Sequence, residues 1–246
     1  NKLQELYCSN SQIENLTLPN NITSSDSNLF VLECENNHID INIFSEKIIS
    51  NIKKKSNYSL KYRHQIINKE ISVFNENDYQ ILCDFANQKN NMSILNWNLK
   101  KPGEWAETDW IYDSVSEKYR LYDCNFNCLK LDGNIDLSGC TKIDNIDFAS
   151  NNIRTVTLPV RNINEGEFYN CSKLEAVILQ GGTTISSGAF MNCPALQAIY
   201  IPDSIADISD DAFANSSKVT ICANTGSFAE AFANKKGINF KSGSFL

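Results

Sequence analysis

The segment Ile185–Pro202, which reads ISSGAFMNCPALQAIYIP, decides the fold of this chain. Much of it recurs on either side, as GEFYNCSKL at 166–174 and DAFANSSKV at 211–219. The phenylalanines of the three copies are 22 and 23 residues apart, at Phe168, Phe190 and Phe213. Self-similarity at a nearly fixed step of this length indicates a repeat architecture, in which every copy is one structural unit.

Each unit contains two aliphatic residues separated by one residue, a pattern typical of a short strand with an inward face. The pattern occurs at Val156-x-Leu158, Val177-x-Leu179 and Ile199-x-Ile201. One such unit cannot bury its apolar side alone, whereas stacked units share a continuous core. The sequence therefore predicts a solenoid of parallel strands, with the repeated phenylalanines aligned in its interior.

The spacing Ile-x-x-x-Ala-Phe-x-Asn-Cys-x-x-Leu-x-x-Ile-x-Ile-Pro, found from Ile185 to Pro202, resembles the BspA-like leucine-rich repeats of bacterial surface proteins. The resemblance covers about residues 153–222. It implies a leucine-rich-repeat solenoid of parallel β-strands stacked in a right-handed coil, mainly β, with a few short helices in capping segments. Residues 225–240 resemble the helix and strand that commonly close such arrays.

Two N-terminal stretches, Leu3–Pro19 and Leu29–Ile39, also resemble leucine-rich repeats. We therefore expect residues 1–76 to hold the end of a first array. The segment from Ser45 to Asn57 is predicted to be a helix that seals this array together with strands after it, because its isoleucines recur on one face.

A junction and a second array are expected to follow. Residues 77–122 combine a predicted helix with three tryptophans and resemble the N-terminal cap of leucine-rich-repeat arrays, without the cysteine pair that many such caps carry. Residues 123–246 are expected to form the second array, with BspA-like repeats from about residue 153 and a C-terminal cap.

Charge and hydropathy exclude several classes of function. The formal net charge is -7 and the pI is about 4.9, which argues against a nucleic-acid partner. No apolar run approaches the roughly 18 residues that read as a membrane-spanning helix. The chain begins at Asn1, without an initiator Met or a signal-peptide core, so we expect it to be a segment of a longer protein that carries any leader or anchor elsewhere.

The sequence contains no evident catalytic, cofactor-binding or metal-binding motif. There are two histidines, and no nucleophile, metal-protease or phosphate-loop motif is present, so the chain is predicted to be neither an enzyme nor a cofactor or metal protein. Cys124 and Cys128 leave three interpretations open, as core residues, a disulfide or a zinc half-site. Asp132–Asp136 only faintly resembles a calcium loop.

The nine cysteines cannot all pair within the chain, because their number is odd. Cys171 and Cys193 recur in phase with the repeat, and a cysteine in that position is typical of a small buried apolar residue. We therefore expect mostly free thiols.

Two surfaces are candidates for binding. The outward residues of successive strands should line one surface of a solenoid, and they are predicted to be Asp136, Asp147, Thr157, Ile178 and Tyr200. The second candidate is a platform of aromatic rings, at Trp97, Trp105 and Trp110, if those rings stand in solvent.

The family resemblance implies attachment to host proteins or to other cells. The expected function is a non-catalytic extracellular or cell-surface adhesion module, a monomer that recognises a protein partner or a cell-surface glycan on the solenoid face. Two alternatives remain open, a structural spacer within a larger surface protein and a carbohydrate-binding component of a polysaccharide-utilising system.

Overall fold

The computed structural model describes residues 71–244 and, before them, the backbone of three short strands, β1 (Glu5–Tyr7), β2 (Val31–Glu33) and β3 (Ser59–Lys61). These strands form a parallel sheet in which Leu6 pairs with Leu32 and Leu32 with Leu60. The predicted helix after Ser45 lies outside the described residues. The chain forms two compact units, one of residues 1–74 and 98–119, the other of 75–97 and 120–246.

The described part of the first unit packs around aromatic rings. It contains a 3₁₀ turn at Pro102–Glu104, strand β4 (Thr108–Asp113) and the beginning of β5 (Lys118–Asn125). The ring of Phe74 lies against those of Trp110 and Tyr119, with centroids 5.0 and 5.6 Å away.

The second unit is a parallel β-solenoid of about six turns with a few short helices. Its helices are α1 (Glu76–Ala86), α2 (Asn91–Leu95) and α3 (Phe228–Lys236). Its strands after β5 are β6 (Asp132–Asp136), β7 (Asn145–Asp147), β8 (Asn152–Leu158), β9 (Ala176–Leu179), β10 (Thr184–Ile185), β11 (Ala198–Tyr200), β12 (Asp207–Ile208), β13 (Thr220–Ala223) and β14 (Asn239–Ser242).

Three sheets run through these turns. The largest has six strands in the order β14-β13-β11-β9-β8-β6, and all of its pairs are parallel. Strands β5 and β7 pair in a second sheet, and β10 and β12 in a third. Strands that pair in the large sheet are often not consecutive in the chain, because a strand of another sheet lies between them in sequence. This is the topology of a coil.

A column of phenylalanine rings fills the interior, as the repeat predicted. Phe148, Phe168, Phe190 and Phe213 stack in order, with ring centroids 5.9, 5.3 and 5.5 Å apart and planes within 10°. Each of these rings is buried. Phe126 extends the column at its start, 5.1 Å from Phe148. The prediction of aligned interior phenylalanines is therefore confirmed.

In three coils an asparagine lies two positions after the phenylalanine, where the backbone is left-handed. Asn170, Asn192 and Asn215 have φ of 60°, 59° and 61°. Asparagine adopts this conformation more readily than most residues that carry a Cβ. The side chains also bond along the stack, since Asn215 Nδ2 donates to Asn192 Oδ1 at 2.8 Å.

Two helices at the start of the second unit protect the first edge of the six-stranded sheet. Asn91 Nδ2 donates to the carbonyl of Asp132 at 2.8 Å, and the Asp132 amide donates back to Asn91 Oδ1 at 2.9 Å. Gln88 forms the same pair of bonds with the backbone of Asn134, both at 2.7 Å. Two side-chain amides thus replace the neighbouring strand that β6 lacks, which blocks edge-to-edge pairing.

At the other end, α3 and β14 follow the last coil. Ser227 caps the helix by accepting from the Glu230 amide, and Gly237 ends it with a φ of 66°. The ring of Phe232 packs 6.2 Å from Phe213, so the helix covers the end of the phenylalanine column.

Candidate binding surfaces

The outward face of the six-stranded sheet carries a row of side chains in register. Asp136 pairs with Thr157, Thr157 with Ile178, and Ile178 with Tyr200. Asp136 is exposed, whereas the other three are half-buried by their neighbours. We call this surface the display face. The row changes from acidic at β6 to aliphatic and aromatic at β9 and β11.

Asp147 does not belong to this row, although it was predicted in it. It lies in β7 and pairs with Asn125 of β5, in a different sheet. Its carboxylate accepts from Asn127 Nδ2 at 2.9 Å and from the Ala149 amide at 2.9 Å, so it fixes a turn of the backbone. The error arose because the aliphatic pair around it, Ile146 and Phe148, has the spacing of the strands in the larger sheet.

The row continues through Cys222 of β13 to the exposed Lys241 of β14, and most of the remaining display face is small or internally paired. A second outward row beside the first consists of Thr155, Ala176, Ala198 and Thr220. At the start of the strands, Arg154 bonds Asp132 at 3.2 Å and Glu175 at 3.1 Å, and Lys173 reaches Asp132 at 3.0 Å. Partial burial acts to raise the pKa of Asp132, but these two cations lower it overall.

The predicted tryptophan platform is not present, because all three rings are buried. Trp97 is 8% exposed and packs 5.9 Å from Phe126. Trp105 and Trp110 are 1% and 2% exposed, and their indole N–H groups donate to the Asn98 carbonyl and to Thr108 Oγ1. An aromatic ring whose faces are covered cannot stack on a sugar or a peptide.

The in-phase cysteines are free and buried, as expected, but they are more than apolar filler. Cys171 Sγ donates to the carbonyl of Phe148, and Cys193 Sγ to that of Phe168, both at 3.1 Å. Ser216 makes the same bond in the next coil, to Phe190 at 2.7 Å. The position therefore selects a small hydrogen-bond donor.

Burial also controls the chemistry of these thiols. Desolvation raises the pKa of Cys171 to about 11 and that of Cys193 to about 12. None of the seven cysteines within 71–244 is in a disulfide, and this overturns the disulfide interpretation of Cys124 and Cys128. Cys128 is the exposed one among them. In the same part of the chain, no group of His, Cys, Asp or Glu is arranged to hold a metal ion.

A groove lies on another side of the coils, between the segment 141–145 and the loop 160–164. Its volume is about 690 Å³, and its walls include Tyr122, Asp144, Asn145, Val160, Arg161 and Asn162. We call it the side groove. It was not predicted from the sequence, since its residues come from three coils and match no motif.

Arg161, which is held in a buried ion pair, joins the two walls of the side groove. The Arg161 guanidinium donates to both oxygens of Glu167, at 2.8 and 2.6 Å, and to the backbone carbonyl of Asp144 at 2.8 Å. Glu167 lies at the position that the small residues Ala189 and Ala212 occupy in later coils. A buried carboxylate is costly without a cation, and Arg161 supplies that cation. A glutamate one residue before a core phenylalanine was the available sequence signal.

The second unit is thus a parallel β-solenoid of short repeats, the architecture of leucine-rich-repeat proteins. Residues 117–221 match the family model described as BspA type leucine rich repeat region, in six copies. This part of the chain, a little under half of its 246 residues, is thus a BspA-type leucine-rich-repeat region. No curated protein matches the chain.

The family match confirms the resemblance and extends it. The first BspA-like repeat was expected at about residue 153, whereas the match begins at 117 and takes in the coils of Phe126 and Phe148. Leucine-rich repeats are commonly protein-interaction modules and typically non-catalytic scaffolds. Among the described residues, none of the helices has the length and apolar character needed to cross a bilayer.

Proposed function

We propose that this chain is a non-catalytic adhesion module of a bacterial cell surface, which recognises a protein partner through its display face. The observation that carries the proposal is the register of Asp136, Thr157, Ile178 and Tyr200 on one sheet. BspA-type repeats usually occur in bacterial surface proteins, which supports the location.

The composition of the face suits a protein surface. Half-exposed Ile178 and Tyr200 provide an apolar and aromatic contact at the centre, the kind of side chain that dominates binding energy in interfaces. The paired charges of Arg154, Lys173 and Asp132 lie at its margin, where charges favour specificity and the rate of encounter. Because the backbone is already a hydrogen-bonded sheet, little conformational freedom is lost on binding.

Buried thiols are compatible with an oxidising exterior. Oxidation and disulfide exchange require the thiolate, and a raised pKa with burial suppresses it. We therefore expect Cys171 and Cys193 to remain free thiols if the chain is outside a cell.

The test is a binding screen of the purified chain against immobilised extracellular-matrix proteins. We expect at least one matrix protein to bind, and we expect Ile178→Asp and Tyr200→Ala to weaken that binding by about tenfold or more, as the loss of an interface anchor does. Tyr169→Ala is the matched control, because Tyr169 is 41% exposed but lies next to the core residue Phe168, outside the strands of the display face.

Two outcomes would contradict the proposal. Equal binding by the wild type and both face variants would place the interaction elsewhere on the chain. Absence of binding to every matrix protein would favour the structural spacer.

A further inference from the structure

We propose that the side groove is a second binding site, which takes the hydroxyl groups of a neutral sugar. Its volume of about 690 Å³ lies within the range of small-molecule sites, roughly 300–1,000 Å³. The site is independent of the display face, since the groove is built from the segments 141–145 and 160–164 and from Tyr122.

The groove is held at a fixed width. Arg161 belongs to one wall and donates to the Asp144 carbonyl of the other, while its bidentate pair with Glu167 keeps the guanidinium in place. The loop is also supported from below, because a Cβ at Gly182 would lie 2.0 Å from the Arg161 carbonyl oxygen. Glycine at this position lets the two coils approach closely. The loop that carries Arg161 therefore packs directly against the backbone of the next coil.

One wall presents an oriented donor. Asn162 Oδ1 accepts from the Thr183 amide at 2.8 Å, from Thr183 Oγ1 at 3.0 Å and from the Thr184 amide at 3.3 Å. These bonds fix which end of the side-chain amide faces the next coil. The Nδ2 group is left with no acceptor among the described residues, and Asn162 lines the groove.

The opposite wall presents an oriented acceptor. Asp144 Oδ2 accepts from the Tyr122 hydroxyl at 2.8 Å, which holds the carboxylate in one orientation. Its other oxygen has no donor within the described part of the chain. The groove thus offers an amide donor on one wall and a carboxylate acceptor on the other.

These groups favour a neutral polyol over other ligands. A hydroxyl group both donates and accepts, so neighbouring hydroxyls satisfy Asp144 and Asn162 together. The walls carry the Lys142 cation as well as the Asp144 carboxylate, so neither an anion nor a cation is preferred over a neutral ligand, and the net charge of -7 disfavours an anion further. Val160, which is 72% exposed at the rim, provides an apolar surface for the C–H face of a pyranose ring.

The experiment is ligand-observed saturation-transfer NMR on the whole chain with maltotriose, cellotriose and triacetylchitotriose. We expect transfer to at least one trisaccharide at millimolar concentration. Asn162→Asp keeps the oxygen that accepts from Thr183 but removes the donor, and Asp144→Asn removes the free acceptor. Each is expected to weaken binding by about tenfold or more, because it leaves a hydroxyl of the sugar unpaired.

Asp203→Asn is the control for Asp144→Asn, because it removes the same charge from an exposed carboxylate that bonds Asn224 in a different coil. We expect it to bind as the wild type does. Thermal unfolding by circular dichroism establishes that every variant is folded. No transfer to any of the three sugars, or equal transfer to the wild type and both groove variants, would overturn the proposal.

Discussion

Three positions after Phe148, Phe168, Phe190 and Phe213, a polar side chain bonds the preceding coil. Ser216 illustrates this, since its hydroxyl donates to the Phe190 carbonyl at 2.7 Å and accepts from the Cys193 amide at 2.9 Å. Ser216→Ala leaves both buried groups unpaired, and we expect a loss of about 1–3 kcal/mol in the free energy of unfolding.

Urea denaturation measures this loss. Ser216→Cys is the matched control, because cysteine occupies the equivalent positions 171 and 193 and donates there to a carbonyl. We expect it to retain most of the stability. A Ser216→Ala variant as stable as the wild type would show that the bond contributes nothing.

The buried thiols predict how stability changes with pH. In the unfolded chain a thiol loses its proton near the ordinary cysteine pKa of 9.0, whereas in the folded state the pKa of Cys171 is raised to about 11 and that of Cys193 to about 12. Between these values the folded state binds more protons than the unfolded state, so the free energy of unfolding falls as the pH is raised through this window. Below and above the window the two thiols contribute no pH dependence.

As the pH is raised from about 9 to about 11, each thiol lowers the free energy of unfolding by an amount that approaches about 1.4 kcal/mol per pH unit. Unfolding free energies measured across this window test it. The double variant Cys171→Ser, Cys193→Ser keeps a small donor at both positions and removes the titration, so its stability should fall less steeply. Equal slopes for the two proteins would contradict the account.

Individual positions were predictable where a repeat constrains them. Phe168, Phe190 and Phe213 recur at nearly the same step, so their common interior could be read from the sequence, and the structure confirms it. The tryptophans gave no such signal. Whether Trp97 or Trp110 faces solvent depends on neighbours distant in sequence, and the structure shows both buried.

At the scale of elements, the side-chain amides of Gln88, which follows α1, and of Asn91, in α2, bond the exposed edge of the first strand of the large sheet. Asn91 is fully buried and bonds both the carbonyl and the amide of Asp132. Asn91→Leu has a similar volume but leaves this backbone unpaired, so we expect a loss of about 1–3 kcal/mol in stability.

Hydrogen exchange localises the effect. The Asp132 amide should exchange markedly faster in Asn91→Leu than in the wild type, while the amides of β11, several coils away, keep their protection. Gln80→Ala is the control, since Gln80 is an exposed residue of α1 whose side chain bonds Asp84 of the same helix. Unchanged exchange at Asp132 would show that the amide does not protect the edge.

Elements were less predictable than the repeat itself. Asp147 was placed on the display face because a short aliphatic pair gives no sign of which sheet its strand joins, and it lies in β7. The side groove was missed for a related reason. Arg161 and Glu167 pair across a turn, and Asp144 joins them from the preceding coil, so the site exists only once the coils are stacked.

At the scale of the second unit, successive coils add rings to the interior and strands to the display face. The fold is consequently a set of nearest-neighbour contacts, in which stability and surface both accumulate coil by coil. The binding function proposed above depends on this stacking, because the display face is continuous only if the strands stay in register.

Nuclear Overhauser effects between the phenylalanine rings test the stacking most directly, in protein labelled only at phenylalanine. The account predicts cross-peaks between neighbouring rings in the order Phe148, Phe168, Phe190, Phe213, whose centroids are 5.3 to 5.9 Å apart. It predicts none between Phe148 and Phe190, because a ring lies between them. Rings that lack these contacts, or that a soluble paramagnetic agent broadens, would contradict the solenoid.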